Sequence, residues 1–330
     1  MSDFGVIGGG AWGTAIAQVM AADGRSVALW AREPDVVAAI NDRHENSAFL
    51  PGIALSPGIR ATADLAEVGA AALIFVVTPA QHMRAVLRDL PGGGAPLVLC
   101  SKGIEAGSLK LLHQVAREIA SGPVAVMSGP TFAHEVAAGK PTAVTLACED
   151  ADGEEGGCAP GIAALISRPS FRPYTSTDVV GAEIGGAVKN VLAIACGVVE
   201  GAGLGQNARA ALIARGFAEM TRFGLARGAR AETLAGLSGL GDLVLTCSST
   251  SSRNYSLGVG LGQGRPAAEL LADRRTIAEG AFTAPVLATA ALAAGVEMPV
   301  TEAVCRLLQG AAAGEVIAGL LGRPLRGEGA

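Results

Sequence analysis

Apolar residues follow two different rhythms along this chain of 330 residues. In the first half, short apolar runs at 4–8, 26–30, 72–77, 97–100, 124–127 and 142–148 read as strands, with 171–174 as a last edge strand. Helical periodicity fills several of the intervals, up to about residue 22, over 80–89 and over 108–120. That alternation predicts a mostly parallel, doubly wound sheet, whose ligands gather at the carboxyl ends of its strands. Beyond about residue 178 the alternation stops. Helical patterns then succeed one another at 178–200, 207–224, 251–263, 280–294, 300–309 and 313–321. The expected fold is α/β, with a sheet domain over 1–177 and an all-helical domain over 178–330. No internal repeat is visible; 149–160 reads as a loose acidic, glycine-rich loop and 322–330 as a frayed end.

The first helix of the second part, residues 181–201, is apolar on every side, which is the pattern of a buried helix. Yet Lys189 and Asn190 stand in its middle, with Glu183 and Glu200 as the nearest charges within it. An amine stripped of water there favours its neutral form and could accept a proton. The alternative is a lysine whose stem carries its charge out to solvent.

The first strand runs into Gly8-Gly9-Gly10-Ala11-Trp12-Gly13-Thr14 and then a helix, which is GxGxxG in the strand–turn–helix context of a Rossmann-type dinucleotide site. Gly8 allows the turn, Gly10 admits the pyrophosphate and Gly13 lets the helix pack close. The second strand ends at Trp30-Ala31-Arg32-Glu33. No acid stands at the usual ribose position, and Arg32 suits a 2′-phosphate, so NADP is expected over NAD. The alternative has Arg32 solvated and Glu33 on the ribose.

Three polar turns lie at strand ends: Thr78-Pro79, Ser101-Lys102-Gly103 and Ser128-Gly129-Pro130-Thr131-Phe132. Lys102, directly after a buried strand, is expected to be aimed at the crevice. In the helical part, 237–247 reads as a glycine-rich turn holding one acid, Asp242. Ser251 or Ser252 could cap the next helix. Arg253 in its first turn opposes the helix dipole, a conflict that a bound phosphate would resolve.

Composition narrows the partners. Half of the residues are hydrophobic and 17% charged, as in a globular protein, and a net charge of −5 provides no general basic patch for nucleic acid. The apolar runs at 70–77 and 285–296 fall short of the roughly 20 residues of a membrane span. The first strand begins too early to leave room for a signal peptide, so a cytoplasmic protein without an integral membrane segment is expected. Six cysteines (100, 148, 158, 196, 247 and 305) without a CxxC pair argue for free thiols in a reducing compartment. The scattered histidines predict no metal.

At this point the chain resembles the bacterial-type NAD(P)-dependent glycerol-3-phosphate dehydrogenases. The similarity is carried by GGGAWGT (8–14), SKGIE (101–105), SGPTFAHEVAAGKPTA (128–143), GAVKNVLAIACG (186–197), GLGDLVLTC (239–247), SRN (252–254) and AEG (278–280), in collinear order over essentially the whole chain. The glycine turn is common to many dehydrogenases; the last five motifs are far more specific. The resemblance implies a cofactor site formed by Gly8, Gly10, Ala11 (where a hydroxyl is common), Trp12, Gly13, Arg32 and Ala133, closed over by Arg253, Ile277 and Glu279. It implies that Lys102 touches cofactor and substrate, that Gly129 and Thr131 contact substrate, and that Ser252, Arg253 and Asn254 hold the substrate phosphate. Lys189 would be the proton acceptor, with Asp242 beside it. The implied reaction is reversible NAD(P)H-dependent reduction of dihydroxyacetone phosphate to sn-glycerol 3-phosphate, for glycerophospholipid synthesis. A homodimer through the helical part is compatible with the sequence, which by itself shows no apolar patch. Two alternatives stay open: another two-domain dehydrogenase, such as a ketopantoate reductase, and a nucleotide sensor without turnover.

Overall fold

Among the described residues, eight strands form one sheet in the order β3-β2-β1-β4-β5-β6-β7-β8. They are β1 (Phe4–Ile7), β2 (Val27–Trp30), β3 (Ile59–Thr62), β4 (Leu73–Val76), β5 (Leu97–Leu99), β6 (Val124–Ser128), β7 (Thr142–Cys148) and β8 (Phe171–Ser176). The molecule is seen in a computed structural model that describes residues 2–92, 94–149, 157–272 and 278–324. Residues 150–156 of the acidic loop, Ile277 and the chain end 325–330 lie outside the described residues. All strand pairs are parallel except β6 with β7. The order reverses between β1 and β4, which creates the crevice where such sheets bind ligands.

Residues β3 and the antiparallel turn of β7 were not foreseen. β3 is only four residues long and carries Arg60 in its middle, too brief a signal for periodicity. Along β4, Leu73 and Phe75 enter one core and Ile74 and Val76 the other, the period-2 division of a sheet covered on both faces. The edge strand β8 includes Pro173, which lacks the N–H that would recruit another strand.

Helices α1 (Ala11–Met20), α2 (Pro34–Arg43), α3 (Leu65–Gly69), α4 (Met83–Asp89), α5 (Leu112–Arg117), α6 (Ala133–Ala137) and α7 (Ala159–Ile166) accompany the strands. Then come α8 (Val179–Gly201), α9 (Gly205–Ala226), α10 (Ala231–Ala235), α11 (Asp242–Thr246), α12 (Arg253–Gly262), α13 (Ala267–Leu270), α14 (Glu279–Ala293), α15 (Pro299–Leu308) and α16 (Ala313–Leu321). The chain divides into two compact units. One comprises Met1–Gly186 with Ala229–Asp242, the other Ala187–Gly228 with Leu243–Ala330.

The apolar helix is α8, and every residue from Gly181 to Val199 is buried. It is the one helix among the described residues long and apolar enough to cross a membrane, and 94% of its apolar window is covered by protein. Lys189 and Asn190 interrupt its apolar run in the sequence. Its glycines serve close packing. A Cβ on Gly185 would lie 2.4 Å from the Ser238 carbonyl oxygen, and one on Gly197 would lie 2.1 Å from that of Tyr255.

One expectation is corrected outright. Cys148, the last residue of β7, and Cys158, just before α7, form a disulfide, whereas Cys100, Cys196, Cys247 and Cys305 are thiols. Sequence spacing hid the pair because strand end and helix start are brought to a Cα–Cα distance of 5.8 Å, within bonding range. Cysteine usage therefore carries no inference to a reducing compartment.

Candidate active site

Within the first unit, three of the glycines in the turn after β1 have two different reasons to be glycine. Gly8 has φ of 129°, and a Cβ there would lie 2.9 Å from the Val77 carbonyl oxygen. A Cβ on Gly13 would lie 1.8 Å from the Gly8 carbonyl oxygen, so α1 could not seat on the turn. Those two are demanded by the protein's own packing. Gly10, the N-cap of α1, has no atom beyond itself and its chain neighbours within 4 Å of where its Cβ would be. Its smallness serves no internal contact, and leaves an open cradle at a helix N-terminus, where backbone N–H groups favour an anion. Ala11 and Trp12 follow it half-buried, and α6, which begins at Ala133, packs on α1.

Two buried hydroxyls without a hydrogen-bond partner among the described residues sit near the same strand ends: Thr78 Oγ1 beyond β4 and Ser128 Oγ at the end of β6. A buried polar atom left unpaired costs free energy, and a polar ligand at the strand ends would satisfy it. Cradle and hydroxyls thus fit a dinucleotide. At the end of β2, the Arg32 side chain is 79% exposed and its guanidinium lies 3.3 Å from the Glu33 carboxylate. A pair so exposed is worth little, and either group can leave it for a ligand.

Lys102, beyond β5, points inward. Its Nζ meets Asp242 Oδ2 at 2.6 Å, and the two side chains are 13% and 0% exposed. The same amine lies 3.5 Å from the Gly129 carbonyl oxygen, which also accepts from Thr131 Oγ1 at 3.2 Å. Lys102, Asp242, Gly129 and Thr131 are thereby one cluster. The lysine stem crosses α8 where the helix has no side chain: a Cβ on Gly186 would lie 3.3 Å from Lys102 Cγ and 2.9 Å from Ser128 Oγ. Cys100, two residues before Lys102, is no rival nucleophile, because burial pushes its thiol well above the usual range.

The segment read as a glycine-rich turn is a π-helical turn, Leu237–Gly241, that delivers Asp242 to the start of α11. Such turns are often found at functional sites. Thr246 then stands four residues after Asp242, on the same face of α11. Asp178 ties this segment down, accepting from the backbone N–H of Gly181 at 2.8 Å and of Arg230 at 2.7 Å. Deeper in α8, Glu183 accepts from the His113 backbone N–H at 2.8 Å and pairs with its Nδ1 at 2.6 Å.

Within the second unit, Lys189 is 6% exposed, and its Nζ donates to Thr246 Oγ1 at 3.0 Å. The lysine does not carry its charge out to solvent. Its neighbour Asn190 accepts from Asn254 Nδ2 at 3.0 Å, and Asn254 Oδ1 accepts from the Gly280 backbone N–H at 2.9 Å. One amide therefore links the helices that carry Lys189, Arg253 and Glu279. The cap of α12 is Ser252, whose Oγ accepts from the Tyr255 N–H at 3.3 Å, while Ser251 is exposed. Arg253 is exposed and opens a helix with no acid in its first turn. The backbone N–H groups of Arg253 and Asn254 belong to the turn that intrahelical bonding leaves unpaired.

The sequence placed Thr78 and Ser128 in polar turns and Asn190 beside Lys189 without giving them a contact, and Thr246 went unremarked. Thr246 had a signal, its i+4 spacing from Asp242, which reading 237–247 as an irregular turn concealed.

Comparison with known proteins gives the family of the chain. Residues 3–153 match the family model of the NAD-dependent glycerol-3-phosphate dehydrogenase N-terminus, and residues 178–318 that of its C-terminus. The chain is 64% identical over 329 residues to glycerol-3-phosphate dehydrogenase (NAD(P)+) 1 of Sphingopyxis alaskensis, covering 99% of this chain and 98% of that protein. It is 62% identical over 328 residues to the glycerol-3-phosphate dehydrogenase (NAD(P)+) of Erythrobacter litoralis, with 99% and 98% covered. The crystal structure of the Coxiella burnetii glycerol-3-phosphate dehydrogenase superposes with a TM-score of 0.91 at 36% identity, over 98% of this chain and 99% of that one. A ketopantoate reductase from Ralstonia eutropha, 15% identical with a TM-score of 0.62, shares the fold alone. Collinear motifs, both family models and relatives matched from end to end lead to one conclusion: the chain belongs to the NAD-dependent glycerol-3-phosphate dehydrogenase family.

Proposed function

We propose that this chain reduces dihydroxyacetone phosphate reversibly to sn-glycerol 3-phosphate with NAD(P)H, supplying glycerophospholipid synthesis. The observation that carries the reading is Lys189, an amine buried in an apolar helix and held by the Thr246 hydroxyl. When bound, the reduced nicotinamide supplies the hydride. Negative charge then develops on the substrate carbonyl oxygen, and Lys189 gives it a proton; in the oxidising direction Lys189 takes the alcohol proton. Lys102 adds positive charge beside the developing oxyanion. Its 2.6 Å pair with Asp242 keeps the amine from reorienting as the charge grows. Gly129 and Thr131 border the substrate beside Lys102.

Ser252, Arg253 and Asn254 hold the phosphate. Support comes from the start of α12, where unpaired backbone N–H groups, the helix dipole and Arg253 all favour an anion. The glycine turn, Ala11, Trp12 and Ala133 carry the cofactor, Arg253 and Glu279 cover it, and Arg32 favours NADP over NAD. A cytoplasmic location belongs to the same proposal, because a phosphorylated substrate stays in the compartment where it is made. A homodimer through the helical unit is supported by its exposed apolar side chains, Phe282 at 57% and Leu292 at 81%, and light scattering in solution tests it.

The assay follows NADPH absorbance with dihydroxyacetone phosphate, then with ketopantoate, then with neither. Oxidation with dihydroxyacetone phosphate alone supports the proposal. Oxidation with ketopantoate, or with neither substrate, refutes it. A lower Michaelis constant for NADH than for NADPH would overturn the part assigned to Arg32.

A further inference from the structure

The segment between α2 and β3 carries a buried amide for which the reaction itself has no use. Asn46 is 1% exposed. Its Nδ2 donates to the Gly9 carbonyl oxygen at 2.9 Å and to Thr14 Oγ1 at 2.8 Å. Its Oδ1 accepts from the Phe49 backbone N–H at 3.2 Å. Both amide hydrogens and the amide oxygen are thus committed, and no other side chain of this size offers two donors and an acceptor in that arrangement apart from a longer glutamine. Thr14 Oγ1 lies 3.4 Å from the same Gly9 carbonyl oxygen, so the two side chains brace one peptide group.

That peptide matters because it is planar and trans. The Gly9 carbonyl and the Gly10 N–H lie on opposite edges of a single rigid plate, so fixing one fixes the direction of the other. Gly10 is the residue whose position is open to a ligand. A glycine pair would otherwise allow the plate to rotate, since glycine restricts the backbone least. We propose that Asn46 is a positioning residue of the dinucleotide site: by holding the Gly9 carbonyl it sets the orientation in which Gly10 meets the cofactor pyrophosphate. The proposal rests on the reading of the glycine turn as the cofactor cradle.

Three variants test it by NADPH and NADH fluorescence titration together with steady-state kinetics. Asn46→Asp keeps the shape and removes the donors. It is expected to raise Kd for both cofactors by on the order of tenfold, equivalent to ~1.4 kcal/mol, while kcat at saturating NADPH and KM for dihydroxyacetone phosphate stay within about twofold. A purely structural role would not produce that split. Gly10→Ala, whose methyl meets no protein atom beyond its own residue and chain neighbours within 4 Å, is expected to weaken both cofactors as well. If Asn46→Asp does not fold, Thr14→Val replaces it. That variant leaves the Asn46–Gly9 bond and is expected to raise Kd by about threefold, equivalent to ~0.6 kcal/mol. A wild-type Kd in Asn46→Asp, or in Thr14→Val where that variant stands in, overturns the role of Asn46. A fall in kcat with Kd unchanged overturns it equally. A wild-type Kd in Gly10→Ala as well overturns the glycine turn as the cradle.

Discussion

Glu219 offers the sharpest quantitative test of the second unit. It lies on α9, 3% exposed, and its carboxylate accepts from the backbone N–H groups of Val300 at 2.7 Å and Thr301 at 3.4 Å, in the first turn of α15. Burial raises its pKa from 4.5 to about 7, against the pull of those two N–H groups. The folded protein thus holds a proton on this group that the unfolded chain releases at lower pH. The resulting stability is fully present below about pH 4.5 and is lost as pH rises through about 7. A shift of that size corresponds to about 3 kcal/mol, at ~1.4 kcal/mol for each pH unit. Glu219→Gln keeps the shape and an acceptor oxygen for Val300 but cannot ionise. Urea midpoints for both proteins between pH 5 and 8 are the assay. All other groups cancel in the difference, so the variant should gain on the wild type as pH rises to about 7 and keep that gain, without adding to it, at pH 8. Parallel pH profiles would refute the reasoning.

Lys189→Met should lower turnover by on the order of a hundredfold or more while NADPH Kd stays near wild type; near-normal turnover would end its role in proton transfer. Asp242→Asn leaves the Lys102 ammonium facing a neutral amide in a buried place, and should cost about 3–5 kcal/mol in urea denaturation as well as activity. A loss under about 1 kcal/mol would mean that the pair is not buried as described. Gly186→Ala should lower kcat/KM on the order of tenfold by moving the Lys102 stem. Its thermal stability should hold, because alanine favours the helix by about 1 kcal/mol. Unchanged kinetics would show that the stem has room to yield.

How far the sequence alone reached depended on the range of the interaction. β1, the glycine turn and α1 are local features, and the expected helices at 280–294, 300–309 and 313–321 lie within a residue of those observed. Strongly periodic helices announce themselves because one apolar stripe repeats several times. The π-turn before Asp242 did not, since its five residues include two glycines and its shape is dictated by packing against Gly185. The Lys102–Asp242 pair spans 140 positions, and nothing in the periodicity of either segment names the other as partner. Asn190 was visible beside Lys189, but its bond to Asn254 depends on two helices coming together. Cys148 and Cys158 were missed for the same reason at shorter range: a strand's exit and a helix's entry had to converge.

The way the two compact units share the chain bears on how such an enzyme can be divided or inherited. The sheet unit takes back Ala229–Asp242 after the chain has already entered its companion. A gene fragment ending near residue 186 would encode all eight described strands and the whole glycine turn, yet leave Lys102 without its carboxylate. Swapping in a foreign nucleotide-binding front half would strand those fourteen residues in the remainder, so recombination at that boundary should yield chimaeras that lack a working lysine even when they fold.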